Sequence, residues 1–268
     1  MLIYDPTDCF DLLDDFSLAS TEDQLGNPFG KFKLASIGAL AELEIMRRNG
    51  LADPPALKSI ADTDISAAFS SSETVIHSRP DTSLAPRNAE VLVITRAAED
   101  LSNPHWAAFR RRAQFSAEKL GVSKKRATQL VGSILELEEN IHLHSGSPGY
   151  AIVCYALTTK SFEFVVADSG IGVRESLRSS SEYYDLEDDN SAIAAAITDG
   201  VSRFGSDTGR GRGFHELFEG LFNTQATLRF RSGQGCILID GQNPSVEHAE
   251  AFSRSELPGF TVAVACKI

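Results

Sequence analysis

The chain has 268 residues, 42% hydrophobic and 23% charged, a balance that suits one large globular domain, or a moderate one with a smaller partner, whose core needs no metal or disulfide staple. A formal net charge of -12, from 37 acidic against 25 basic residues, disfavours generic coating of nucleic acid or anionic lipid, because both repel an acidic surface. Cys9, Cys154, Cys236 and Cys266 form no Cys-x-x-Cys pair, no apolar run reaches the length of a membrane span, and the acidic N-terminus lacks a signal-peptide pattern; zinc, disulfides and a membrane anchor are not expected, and a cytoplasmic location is.

Residues 1–105 read as an irregular N-terminal region. The stretch from Asp5 to Asp15 is acidic, Asp53-Pro54-Pro55 breaks the chain, and Ser70 to Pro86 is rich in Ser, Thr, Asp and Pro. Two ordered pieces stand out. Lys33 to Arg48 carries Leu34, Ile37, Ala41 and Ile45 at helical spacing, and Val91-Leu92-Val93-Ile94 reads as a short buried strand.

Residues 106–268 are more regular. Asn103-Pro104 opens a helix bearing Trp106, Phe109 and Ala113, with Gly121 as its stop. Ser123 starts a second helix running to about Leu143, with Leu130, Ile134, Leu137 and Ile141 as its core stripe. Tyr150 to Leu157 and Phe162 to Ala167 follow as two hairpin-linked strands. A long segment, 173–208, contains an acidic stretch and one helix around Ser191 to Ile197; Phe214 to Phe222 is another helix. Thr227 to Arg231 and Cys236 to Ile239 read as strands around Gly233-Gln234-Gly235, and Thr261 to Ala265 as a last one. Helices interleaved with hairpin-linked strands point to an α+β two-layer sandwich and not to a doubly wound sheet.

Three patterns in this half carry chemistry. Glu136, Asn140 and His144 are spaced four apart, which puts them along one helix face beside the core stripe. A carboxylate and an amide one turn apart suit a general base and a ligand to hydrated magnesium. Asp168-Ser169-Gly170-Ile171-Gly172 directly follows a strand. An Asp at a strand end can accept from an exocyclic amine, and glycines let backbone approach a flat ring closely. Gly209-Arg210-Gly211-Arg212-Gly213 precedes a helix, where exposed amides and the helix N-terminus favour an anion, and Arg210 and Arg212 add positive charge. No Gly-Lys-Ser/Thr closes this run and it lacks the Gly-x-Gly-x-x-Gly spacing, so it is neither a P-loop nor a Rossmann fingerprint.

In content, order and spacing these motifs resemble the GHKL superfamily, the gyrase, heat-shock chaperone, histidine kinase and MutL ATPases. Leu135 to His144 looks like its N box, Asp168 to Gly172 like its Asp-x-Gly-x-Gly G1 box, and Gly209 to Gly213 like its G2 box after a mobile lid, here 173–208. The resemblance covers roughly residues 110–268 and implies a Bergerat-type ATP-binding fold with a mixed sheet. It implies ATP and magnesium as ligands, Asp168 on the adenine amine with Gly170 and Gly172 in the ring pocket, Asn140 on magnesium and Glu136 as general base. Gly209, Arg210, Gly211, Arg212 and Gly213 would hold phosphate, and Gly200 and Gly205 would serve as lid hinges. Leu257-Pro258-Gly259-Phe260-Thr261 resembles the family's closing strand, whose threonine falls here on Phe260 or Thr261; Cys236, after Gly235, is another candidate.

The resemblance leaves three activities. Glu136 suits a Mg-dependent ATP hydrolase, and equally a protein serine kinase, because anti-sigma-factor serine kinases also carry a Glu there. The third is a non-catalytic, anti-sigma-like module whose partner surface depends on nucleotide. A sensor histidine kinase fits less well, since no His-Glu-x-x-x-Pro phosphoacceptor box is present. The expected partners are ATP and an unidentified protein, with residues 1–105 supplying specificity and a homodimer as an assembly many relatives use. Arg110-Arg111-Arg112 with Lys119, Lys124, Lys125 and Arg126 reads as a solvated helix face.

Overall fold

A computed structural model describes residues 2–3, 9–11, 13–14, 33–51, 61, 63–75, 85–94, 104–146, 150–158, 161–198, 226–243 and 245–267. The strands are β1 (Leu2–Ile3), β2 (Lys33–Leu34), β3 (Ala89–Ile94), β4 (Ala151–Leu157), β5 (Ser161–Asp168), β6 (Thr227–Asp240) and β7 (Glu250–Lys267). The helices are α1 (Ile37–Arg48), α2 (Thr63–Val75), α3 (Pro104–Lys119), α4 (Lys124–His144), α5 (Gly172–Arg178) and α6 (Asp189–Ala196).

Five strands form one sheet in the order β3-β4-β5-β7-β6, and β1 and β2 make a separate parallel pair. Every pairing in the five-stranded sheet is antiparallel, which corrects the expectation of a mixed sheet. A single crossover helix returns the chain parallel to the strand it left. Here two helices, α3 and α4, joined by the short turn 120–123, separate β3 from β4, and the second reverses the direction set by the first.

The α+β class stands, but helices cover both sheet faces, so the two-layer expectation is corrected as well. β4 and β5 are buried almost throughout; a strand buried on both faces must be covered twice. Ala151, Val153, Tyr155, Phe162, Phe164 and Val166 pack with Phe109, Ile134 and Leu137 of α3 and α4. The alternate residues Ile152, Cys154, Ala156, Val165 and Ala167 pack with Ile37, Leu40 and Leu43 of α1. Thus α1, and β3 as an edge strand, come from residues 1–105 yet belong to the same sheet and core as residues 106–268.

Local chemistry explains where these helices start. Ser36 caps α1, and the buried Glu163 of β5 accepts from the Ser36 hydroxyl at 2.9 Å and from the Ile37 amide at 3.1 Å, placing a carboxylate at the positive end of the helix dipole. Ser123 caps α4 as its sequence suggests. On the α1 side, Glu42 accepts from Arg231 at 2.6 Å and from Arg229 at 3.2 Å, and Asp14 accepts from Arg229 at 2.7 Å and from Arg254 at 2.7 Å. Glu42, Arg229 and Arg231 are fully buried, so this network fixes the N-terminal layer to β6.

The glycine turn expected at 233–235 is instead a bulged continuation of β6. Register shifts fall between Arg231 and Gly233 and between Gly233 and Gly235. The first part of β7 supplies a partner for residues 233–238, so the glycines bend the strand without ending it.

Candidate functional site

Asp168 ends β5 on the α4 side of the sheet and is completely buried. Its Oδ1 accepts from the Gly170 amide at 2.5 Å. Its Oδ2 is buried and has no hydrogen-bond partner among the described residues. Burial pushes the carboxyl up to about 7, against the opposing pull of the Gly170 amide. A buried acceptor without a donor is costly, and such an atom at a strand tip suits a ligand that brings the donor.

Backbone surrounds this carboxyl closely. A Cβ on Gly170 would collide with the Ser145 carbonyl, and one on Gly259 with the Asp168 carbonyl. Gly172 has a positive φ of 81°, and a Cβ there would stand 3.0 Å from the Ser232 Oγ and 3.3 Å from the Gly259 carbonyl. Gly170 and Gly259 therefore close on this carboxylate while Gly172 adjoins Gly259, and each is the residue type that lets these chains approach.

The end of α4 meets the same turn. The Ser145 carbonyl, at the helix C-cap, accepts from the Ile171 amide at 2.9 Å, and Ser169 donates to the Tyr150 carbonyl from its amide at 3.0 Å. Glu136, Asn140 and His144 are half-buried on α4. By helix periodicity they lie on the flank opposite Glu138 and His142. Asn140 precedes Ser145 by five residues, about 7.5 Å along the axis. The Glu136 and Asp168 segments thus meet through α4 and its cap.

A second carboxylate of this stretch is placed for packing. Glu138 is buried against α3 and faces the His142 Nε2 at 2.6 Å. Burial raises its pKa, while His142 and the more distant Arg110 pull it down. Spacing alone could not separate Glu138 from Glu136; its burial does.

Gly209, Arg210, Gly211, Arg212 and Gly213 lie outside the described residues, as do Gly200, Gly205 and the helix expected at 214–222. The segment expected as a lid is partly described, and residues 173–198 are docked. Ala192, Ile193 and Ile197 are fully buried. Asp189 accepts from the Gln234 amide at 2.9 Å, and its carboxylate fills the space a Cβ on Gly233 would need. Asn190 accepts from the Cys236 amide at 3.0 Å and donates to the Phe252 carbonyl at 3.1 Å. Sequence reading missed these contacts; the signal was Asp188-Asp189-Asn190 at a helix start, where Asp188 caps α6.

The closing-strand threonine finds no equivalent beside Asp168. Ala167 pairs with Thr261, so Thr261 points to the α1 face, and the next position of that register brings Phe260 abreast of Asp168. Phe260 packs in the α4-side core. Cys236 is buried where Arg229 and Glu42 act on it, again on the α1 side.

Among the described residues no three His, Cys, Asp or Glu gather as a metal site, and no helix is long and apolar enough to cross a membrane. No protein-family model matches the chain, and no curated protein matches it.

Proposed function

We propose that this protein binds ATP with its adenine at Asp168 and, with magnesium, either hydrolyses it or transfers its γ-phosphoryl group to a protein. The observation that carries the reading is the buried, unpartnered Oδ2 of Asp168 within a cradle of Gly170, Gly172 and Gly259. An adenine amine would supply the missing donor. The order of the N-box-like, G1-like and G2-like segments in the sequence supports a GHKL-type, Bergerat-fold assignment.

In this reading Asn140 holds magnesium, which neutralises phosphate charge, and Gly209 to Gly213 with Arg210 and Arg212 hold the phosphates. Glu136 takes the proton from the attacking water or hydroxyl as its oxygen bonds to the γ-phosphorus and ADP leaves. Residues 189–196 pack on β6, so this part of the expected lid is held, and lid closure on ATP remains the coupling step. That closure would signal to a protein partner or to a second copy in a homodimer.

The test follows γ-labelled ATP with magnesium, reading free phosphate and labelled protein separately. The expected result is a slow signal that Glu136→Ala lowers by about 100-fold or more, while ATP still binds. Label on a co-purifying protein would identify a kinase. Tight binding with both signals at background would instead make this a nucleotide-dependent interaction module, and no ATP binding at all would overturn the reading.

A further inference from the structure

We propose that Ser232 is a positioning residue of this nucleotide pocket, an inference that rests on the ATP reading above. Its side chain is 2% exposed. The hydroxyl accepts from the Val173 amide at 2.9 Å and donates to the Gly259 carbonyl at 2.7 Å. Both of its hydrogen-bonding roles are therefore used, and they join two segments distant in sequence. One is the turn that enters α5 directly after Gly172. The other is the start of the β7 run that lies against Asp168.

Position makes this more than an ordinary buried serine. A Cβ on Gly259 would stand 2.5 Å from the Asp168 Oδ1, and one on Gly172 would stand 3.3 Å from the Gly259 carbonyl. The Ser232 Oγ stands at 3.0 Å from the place a Gly172 Cβ would occupy. Holding Val173 and Gly259 on one oxygen fixes the separation of the two glycine segments, and with it the position of the backbone that lies against the Asp168 carboxyl. Neither neighbouring hydroxyl candidate performs this task, since Thr261 faces the opposite side of the sheet and Phe260 carries no hydroxyl. Ser232 also sits at the first irregularity of β6. The next residues are held by α6, because Asp189 takes the Gln234 amide. The hydroxyl thus links the pocket wall to the anchored start of the 173–198 segment.

The experiment compares wild type, Ser232→Ala, Ser232→Thr and Asp168→Asn in the full chain. Equilibrium titrations use ATP and adenosine as separate probes, with hydrogen exchange followed across residues 170–178. Ser232→Ala removes both of these hydrogen bonds and should weaken both probes by about tenfold, the order expected when the displaced segment misplaces one hydrogen bond to the base. It should also speed exchange at 170–178 while α4 stays protected, and Ser232→Thr should restore both readouts. An unchanged affinity in Ser232→Ala beside a large loss in Asp168→Asn would overturn the role of Ser232 and leave the adenine reading intact. A loss for ATP without a loss for adenosine would also overturn it, because wall spacing acts on the base. Wild-type affinity in Asp168→Asn would remove the pocket reading and this proposal together.

Discussion

Asp168 sets two opposing demands on one side chain. Its folded pKa of about 7 lies above the ordinary 3.8, so the folded protein keeps a proton that the unfolded chain releases. The contribution to stability is full below about pH 3.8 and is lost as pH rises through about 7. At about 1.4 kcal/mol per pH unit the loss reaches roughly 4 kcal/mol by pH 8. Asp168→Asn should therefore raise the melting temperature of the ligand-free protein at pH 8 and have little effect near pH 4, as read by calorimetry at the two pH values. The same substitution should weaken ATP binding by about 10- to 100-fold, the value of a hydrogen bond to a charged group. Wild-type affinity for ATP should rise as pH passes upward through about 7, because the carboxylate is the better acceptor; a flat profile in titration calorimetry would remove the carboxylate from adenine recognition.

At the scale of elements, α6 is held by side chains reaching backbone. Asn190 bridges the Cys236 amide and the Phe252 carbonyl, and Ile193 enters the α4-side core. Asn190→Ala removes a partner from two part-buried backbone groups and should cost about 1–2 kcal/mol. Local hydrogen exchange in 186–198 should rise in that variant before global unfolding occurs. The start of α1 behaves similarly: Glu163 answers the Ser36 hydroxyl and the Ile37 amide, so its carboxylate belongs to helix capping despite its place on a strand.

Across the whole molecule, the two helical layers are bound to one sheet, and neither is an appendage. A chain limited to residues 106–268 would lack α1 and β3, leaving Ile152, Cys154, Ala156, Val165, Ala167 and Ala263 without cover. Such a fragment should be insoluble, or bind a hydrophobic dye strongly, whereas the full chain should unfold as one cooperative unit. Glu42 holds the layers together with charge. Glu42→Ala would leave Arg229 and Arg231 short of an acceptor in the interior and should destabilise by about 3–5 kcal/mol in denaturant unfolding. A small shift in midpoint would show that Asp14 alone suffices.

Local pattern was enough for most elements, since apolar spacing at four or two residues reflects the helix and strand periods directly. The Ser123 cap, the core stripe of α4 and the strands β4 and β5 were legible in this way. Tertiary structure alone decided that Glu138 is packed, that Thr261 faces away from Asp168, and that Gly233 and Gly235 bend a strand around α6. It also decided that α1 covers the second face of the sheet. The physical reason is common to all four: each depends on register and on contacts between residues far apart in the chain, and a shift of one residue in a strand exchanges its two faces.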